Sequence, residues 1–146
     1  MLNYAQNQYR KTQVATVDRG RLIVLLYEGA ISFLIKAKAC LAEDDIPGCA
    51  SLINRAQDII DELNASLNME LGGEIATNLR RLYLYMGDRL VRAKIRREDA
   101  MLDEVVRILT SLNEAWREAL AKPEAQEVLS RQPVQTTTQA RSGVRI

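Results

Sequence analysis

The stretch Cys49-Ala-Ser-Leu-Ile-Asn-Arg-Ala-Gln-Asp-Ile-Ile-Asp-Glu-Leu-Asn-Ala-Ser-Leu67 carries its apolar residues at Cys49, Leu52, Ile53, Ala56, Ile59, Ile60, Leu63 and Leu67. Successive members are one, three or four positions apart, so at 100° per residue they line one stripe, while Asp58, Asp61 and Glu62 fall off it. A helix with one face on a core has this pattern; a strand would alternate with period two. Glycine and proline, the strongest breakers of such a run, number only seven and three in 146 residues. Most of them fall between long stretches of the same periodicity, so the whole chain reads as all-α.

Working outward from residue 49, the acidic Glu43-Asp44-Asp45 and then Pro47-Gly48 close a preceding helix of about 19–42, for which Asp18 is the N-cap candidate. The helix of about 49–69 is stopped by Gly72 and Gly73. Glu74 suits the positive end of a third helix, about 74–96, with Ile75, Leu79, Leu82, Met86, Leu90 and Ala93 as its expected core stripe. Glu98-Asp99 opens a fourth, about 99–121, whose stripe is Leu102, Val105, Val106, Leu109, Leu112, Trp116 and Leu120, and Pro123 closes it. Four helices of this size, each about 30 Å long at the 1.5 Å rise, pack most simply as an antiparallel four-helix bundle over residues 18–121. Residues 1–17, rich in Gln, Asn and Thr around Tyr4, Tyr9, Val14 and Val17, read as an extended or loosely held N-terminal arm, and 122–146 as a disordered tail.

Composition removes several function classes. Twenty basic and 19 acidic residues leave a net charge of +1, so no global field drives the chain onto nucleic acid or anionic lipid. Histidine is absent, which takes away His-dependent triads, His metal ligands and the Glu-x-x-His motifs of a di-metal bundle. No catalytic group, cofactor site or metal site is expected, and an enzyme would need chemistry the sequence does not display. Cys40 and Cys49 lack CxxC spacing and read as a reduced, intracellular pair. The polar start MLNYAQNQYRK has no signal-peptide core, and no apolar run approaches the roughly 18 residues a membrane-spanning helix needs.

What remains is an excess of apolar surface. Leu22 to Tyr27 are consecutive apolar or amphipathic residues, followed by Ala30, Ile31, Phe33, Leu34 and Ile35. A stripe of Leu22, Leu26, Ala30, Phe33 and Ala37 is expected to face the core, which leaves Ile23, Tyr27, Ile31 and Leu34 on one flank. Either the helix is enveloped on all sides or it offers a second apolar face to a partner. The third helix repeats this with Tyr83, Leu84, Tyr85 and Val91, where tyrosines at the edge of a core are the plainer alternative. Gly29 and Gly87 lie inside helices, at positions where a close backbone approach would account for them. Seven basic residues, Arg80, Arg81, Arg89, Arg92, Lys94, Arg96 and Arg97, scatter around the third helix; a solvated face is favoured over a nucleic-acid stripe.

Two stretches resemble the flagellar secretion chaperone FliS family: Leu22-Ile-Val-Leu-Leu-Tyr-Glu-Gly-Ala-Ile-Ser-Phe-Leu34 and Gly72-Gly-Glu-Ile-Ala-Thr-Asn-Leu-Arg-Arg-Leu-Tyr-Leu-Tyr-Met86. Ile59-Ile60, Glu62-Leu63, Ser66-Leu67 and Ala115-Trp116 support the likeness, which runs from about residue 4 to 120. The resemblance implies a cytoplasmic, non-enzymatic chaperone. It would bind the disordered C-terminal segment of flagellin, prevent premature polymerisation and contact the flagellar export apparatus. It also implies an N-terminal arm whose tyrosine covers part of the client surface, and Tyr9 matches by its distance to Leu22. Thr16-Val17-Asp18-Arg19 departs from the family's usual Thr-Ala-Ser-Pro. On this reading Tyr9, Ile23, Tyr27, Ile31, Tyr83 and Tyr85 contribute to client contact, while Leu22, Leu26, Ile60, Leu63, Leu79, Leu82 and Trp116 hold the core. The alternative is a helical nucleic-acid-binding or adaptor module using the basic face of the third helix.

Overall fold

A computed structural model of the chain describes the backbone of residues 2–122 and the side chains of residues 19–122; the segment 123–146, read as a disordered tail, lies outside them. Within these residues four helices follow one another: α1 Leu2–Ala42, α2 Ile46–Ala65, α3 Met69–Arg96 and α4 Asp99–Ala121. α1 packs against α2 and α4, and α3 packs against the same two. Connections of two or three residues make sequence neighbours antiparallel, and α1 and α3 fall on a diagonal of the bundle.

The turns are set by local chemistry. Asp45 caps α2, its Oδ1 accepting from the Gly48 amide at 3.0 Å, with Pro47 in the first turn, where its missing N–H leaves no bond unmade. Asn68 caps α3 with one carboxamide oxygen, which accepts from the amides of Glu70 at 3.1 Å and Leu71 at 3.0 Å. α2 therefore ends at Ala65, earlier than its apolar pattern suggested. Gly72-Gly73 breaks α3 after a single turn instead: Gly73 sits at φ 53, ψ −129, in a region that side chains avoid. An added Cβ there would meet nothing within 4 Å, so the backbone alone carries the penalty. Gly73→Ala is expected to lower unfolding free energy by about 1–3 kcal/mol with helicity intact, as read by urea denaturation and circular dichroism.

The start of α1 differs from its expected place near residue 19. No Gly or Pro lies between Leu2 and Arg19 to halt it, and lengthening an existing helix avoids the nucleation cost, so the helical backbone reaches Leu2. Asp18 consequently lies within α1 and does not cap it. The arm of residues 1–17 is continuous with α1 in backbone from Leu2, and its side chains, including Tyr4 and Tyr9, lie outside the described residues.

The core is a set of seams with alternating gaps of four and three. α1 contributes Ile23, Tyr27, Ala30, Leu34 and Ala37; α2 contributes Cys49, Ile53, Ala56, Ile60, Leu63 and Leu67; α3 contributes Ala76, Leu79, Tyr83, Met86, Leu90 and Ala93. Met101, Leu102, Val105 and Leu109 complete it from α4. A mean repeat of 3.5 suits side chains interlocking across nearly parallel or antiparallel axes, as in most four-helix bundles. The α2 stripe is the expected one. In α3 the expected Leu79, Met86, Leu90 and Ala93 are buried, but Ala76 and Tyr83 take the places of Ile75, which is 72% exposed, and Leu82; in α1 Ala30 and Ala37 are buried as expected, but Ile23, Tyr27 and Leu34 take the places of Leu22, which is 48% exposed, Leu26 and Phe33. Leu26, Phe33 and Trp116 pack against the core from its margin.

Candidate functional site

Tyr27 and Tyr83, on the diagonal pair of helices, are 0% and 1% exposed, and their hydroxyls meet at 2.5 Å inside the bundle. Burial pushes both phenols above the usual tyrosine range, and the Trp116 side chain is a further hydrogen-bond partner of Tyr27. The reach of two tyrosines lets α1 and α3 touch through polar atoms that each satisfy the other. Ile23 is likewise buried. Of the residues expected at the client surface, Ile23, Tyr27 and Tyr83 are packed into the core in this conformation, each at most 3% exposed. Apolar residues surround α1 on most sides, so nothing in their spacing said which arc would turn inward.

The buried pair has a pH signature. Above pH ~10 the unfolded chain loses both phenolic protons while the folded chain keeps them. The unfolded state then binds fewer protons, and stability falls as pH rises, approaching ~1.4 kcal/mol per pH unit for each phenol. Urea midpoints measured through that range are expected to drop steeply, and the double variant Tyr27→Phe, Tyr83→Phe to lose most of that slope.

The other expected residues scatter. Ile31 is half-buried against the core. Tyr85 is 42% exposed and turned toward α4, where its hydroxyl donates to Glu104 Oε2 at 2.5 Å and Arg89 Nε donates to Oε1 at 2.7 Å. These two bonds hold the Glu104 carboxyl below its ordinary range, the tyrosine hydroxyl first. Tyr9 lies outside the described side chains.

On the opposite flank of α3 a groove of about 360 Å³ runs along α2, lined by Gln57, Ile60, Asp61 and Asn64 and by Tyr83, Leu84, Gly87 and Val91. Leu84 and Val91 stand exposed along it, and Ile95, four residues further along α3, is exposed as well. Gly87 keeps the floor open: a Cβ there would sit 3.3 Å from Gln57 Nε2. Gln57 Nε2 donates to Asp61 Oδ1 at 2.8 Å, while its buried Oε1 has no partner. Leu84, Gly87 and Val91 had drawn notice in the sequence; Gln57, one polar residue among several on α2, gave no signal there. The groove is shaped for an amphipathic segment, apolar along Leu84 and Val91 and able to donate one hydrogen bond.

A profile of the family described as "Flagellar protein FliS" matches residues 1–123 of this chain. The chain belongs to the FliS family. It is 37% identical over 118 residues to the flagellar secretion chaperone FliS of Salmonella typhimurium, covering 80% of this chain and 87% of that protein. It is 38% identical over 116 residues to the flagellar secretion chaperone FliSB of Pseudomonas aeruginosa, covering 77% and 92%. A solved structure described as a flagellar chaperone from bacteria shares the fold at TM-score 0.65 and 24% identity, over 69% of this chain and 82% of the other. The helical-bundle fold is thus shared with that structure, and the role that goes with the FliS family is that of a flagellar secretion chaperone.

For a FliS-family bundle the remaining surface chemistry is local. Arg80 donates to Asn64 at 3.4 Å, Arg92 to Asp88 at 3.0 Å and Lys94 to Asn54 at 2.8 Å. With Arg89 on Glu104, four of the seven basic residues bond to the bundle's own side chains, and two of them, Arg89 and Arg92, are paired with carboxylates. The cysteines are free thiols, Cys49 buried and Cys40 half-buried, and burial raises the pKa of both. Among the described residues no helix is long and apolar enough to cross a membrane, and no cluster of His, Cys, Asp and Glu is arranged to hold a metal ion.

Proposed function

We propose that this FliS-family chain is a cytoplasmic export chaperone that binds the disordered C-terminal segment of flagellin, prevents its premature polymerisation and hands it to the flagellar export apparatus. The observation that carries this reading is the exposed pair Leu84 and Val91 along the α2–α3 groove, where a solvated bundle would otherwise carry polar residues. An amphipathic client laid on it hides apolar surface from water on both sides. Tyr85 and Ile31 extend the contact around the bundle, and Tyr9 adds to it from the N-terminal segment. Because the client is unfolded when free, ordering it costs conformational entropy, so a long, wrapping interface is required.

The test is calorimetric titration of the full chain with the C-terminal segment of flagellin from the same organism. One-to-one binding with a negative heat-capacity change is the expected result, since apolar burial has that signature. Absence of binding by a folded, helical protein would overturn the reading. Affinity for nucleic acid that falls steeply with salt and is lost on neutralising Arg80, Arg81 and Arg92 would instead establish the alternative.

A further inference from the structure

The walls of the α2–α3 groove are bonded to each other at its two ends and not in its middle. Toward one end Arg80 of α3 donates to Asn64 Oδ1 of α2 at 3.4 Å, and toward the other Lys94 donates to Asn54 Oδ1 at 2.8 Å. Between them α2 presents Gln57 and Asp61, and α3 places Gly87 against Gln57, a residue with no side chain to send across. The bundle therefore supplies no donor from α3 at the point where α2 offers acceptors.

The bonds those two residues already make define what they can still take. Gln57 Nε2 donates to Asp61 Oδ1 at 2.8 Å. That bond orients the carboxamide, and its oxygen is buried with no partner. A buried acceptor left unmade costs free energy that a bound donor recovers. Asp61 is exposed, and among the described residues its carboxylate joins no ion pair. The α2 wall thus combines a free negative charge with an unsatisfied carbonyl, while Leu84 and Val91, two helical turns apart, make the α3 wall apolar.

Taking this groove as the client site proposed above, we infer that Asp61 and Gln57 make it selective for a basic stretch of the client. The bound segment lays apolar residues on Leu84 and Val91 and sets one lysine or arginine between them, over Gly87, with its cation on Asp61. A bond of that kind, charged on both sides, is roughly twice as strong as a neutral one. Gly87 leaves the room for it: a Cβ there would stand 3.3 Å from Gln57 Nε2 and fill the space above the carboxamide. A segment with an acidic residue at that position meets like charge and is rejected.

Calorimetric titration of the full chain with the C-terminal segment of flagellin, at low and at high salt, tests the inference. Asp61→Asn keeps an oxygen for Gln57 and removes only the charge. It is expected to weaken binding about tenfold at low salt and to lose most of the salt dependence of the parent, with far-UV circular dichroism and urea midpoint unchanged. Gln57→Met removes the unpartnered oxygen, so the urea midpoint is expected to hold or rise while affinity falls, a combination that a merely structural role would not produce. Replacing the lysines and arginines of the segment by glutamine, one at a time, is expected to find one whose loss cancels the effect of Asp61→Asn. Equal binding by the parent and Asp61→Asn, or no basic residue coupled to Asp61, overturns the inference and leaves the client reading standing. A folded parent that binds no flagellin segment overturns that reading itself.

Discussion

Replacing Tyr27 by alanine is expected to lower unfolding free energy by about 3–5 kcal/mol, the usual cost of emptying an aromatic site in a packed core. Tyr27 is fully buried among α1, α3 and α4, and removing it also strands the Tyr83 hydroxyl without its partner. Tyr83→Ala is expected to cost a similar amount. Tyr27→Phe keeps the ring and loses only the polar contact, at about 1–3 kcal/mol for the hydroxyl left unsatisfied. Urea denaturation followed by circular dichroism measures all three, and a cost under about 1 kcal/mol for the alanine variant would show that the site is not packed as described. With typical total stability of about 5–15 kcal/mol, the two alanine changes together are expected to abolish folding. Loss of client binding in either variant would therefore report on the fold rather than on the interface.

Leu84→Glu combined with Val91→Glu is expected to act in the opposite way. Both side chains are exposed, so stability should change by no more than about 0.5 kcal/mol per site. Two carboxylates placed along the α2–α3 groove would have to be desolvated beneath an apolar client face. Affinity for the flagellin segment is expected to fall by about 100-fold or more, equivalent to roughly 3 kcal/mol. Titration calorimetry on the folded double variant checks it, and undiminished affinity would remove the groove from the interface. Tyr85→Ala is a milder companion on the α4 flank, where it frees Glu104 from one of its two hydrogen bonds.

The arrangement of these two tests follows from how the helices turned. Both α1 and α3 carry apolar residues over most of their circumference, and a hydrophobic pattern of that kind specifies helix without specifying orientation. A rotation of less than one residue's 100° is enough to exchange Leu22 for Ile23 and Ile75 for Ala76 while Ala30, Ala37, Leu79, Met86, Leu90 and Ala93 stay inside. α2 carries a single stripe flanked by Asp58, Asp61 and Glu62, and there the sequence and the structure agree on the inward face. The tyrosines misled for a related reason. A phenol usually keeps its hydroxyl in water, yet Tyr27 and Tyr83 satisfy each other across the bundle diagonal, a pairing between residues 56 apart in sequence.

The sequence by itself determined that the chain is helical, that four helices of bundle length follow one another with short turns, that α4 spans Asp99–Ala121, and which family the chain resembles. These depend on local periodicity, capping residues and breakers, whose energies are settled within a few turns of chain. Only the tertiary structure decided that Tyr27, Tyr83 and Ile23 are core, that Gly73 breaks α3 after one turn, and that Leu84 and Val91 border a groove along α2. Those outcomes depend on which of several apolar arcs packs at highest density with every buried hydroxyl paired, a choice made jointly by four helices and encoded in none of them alone.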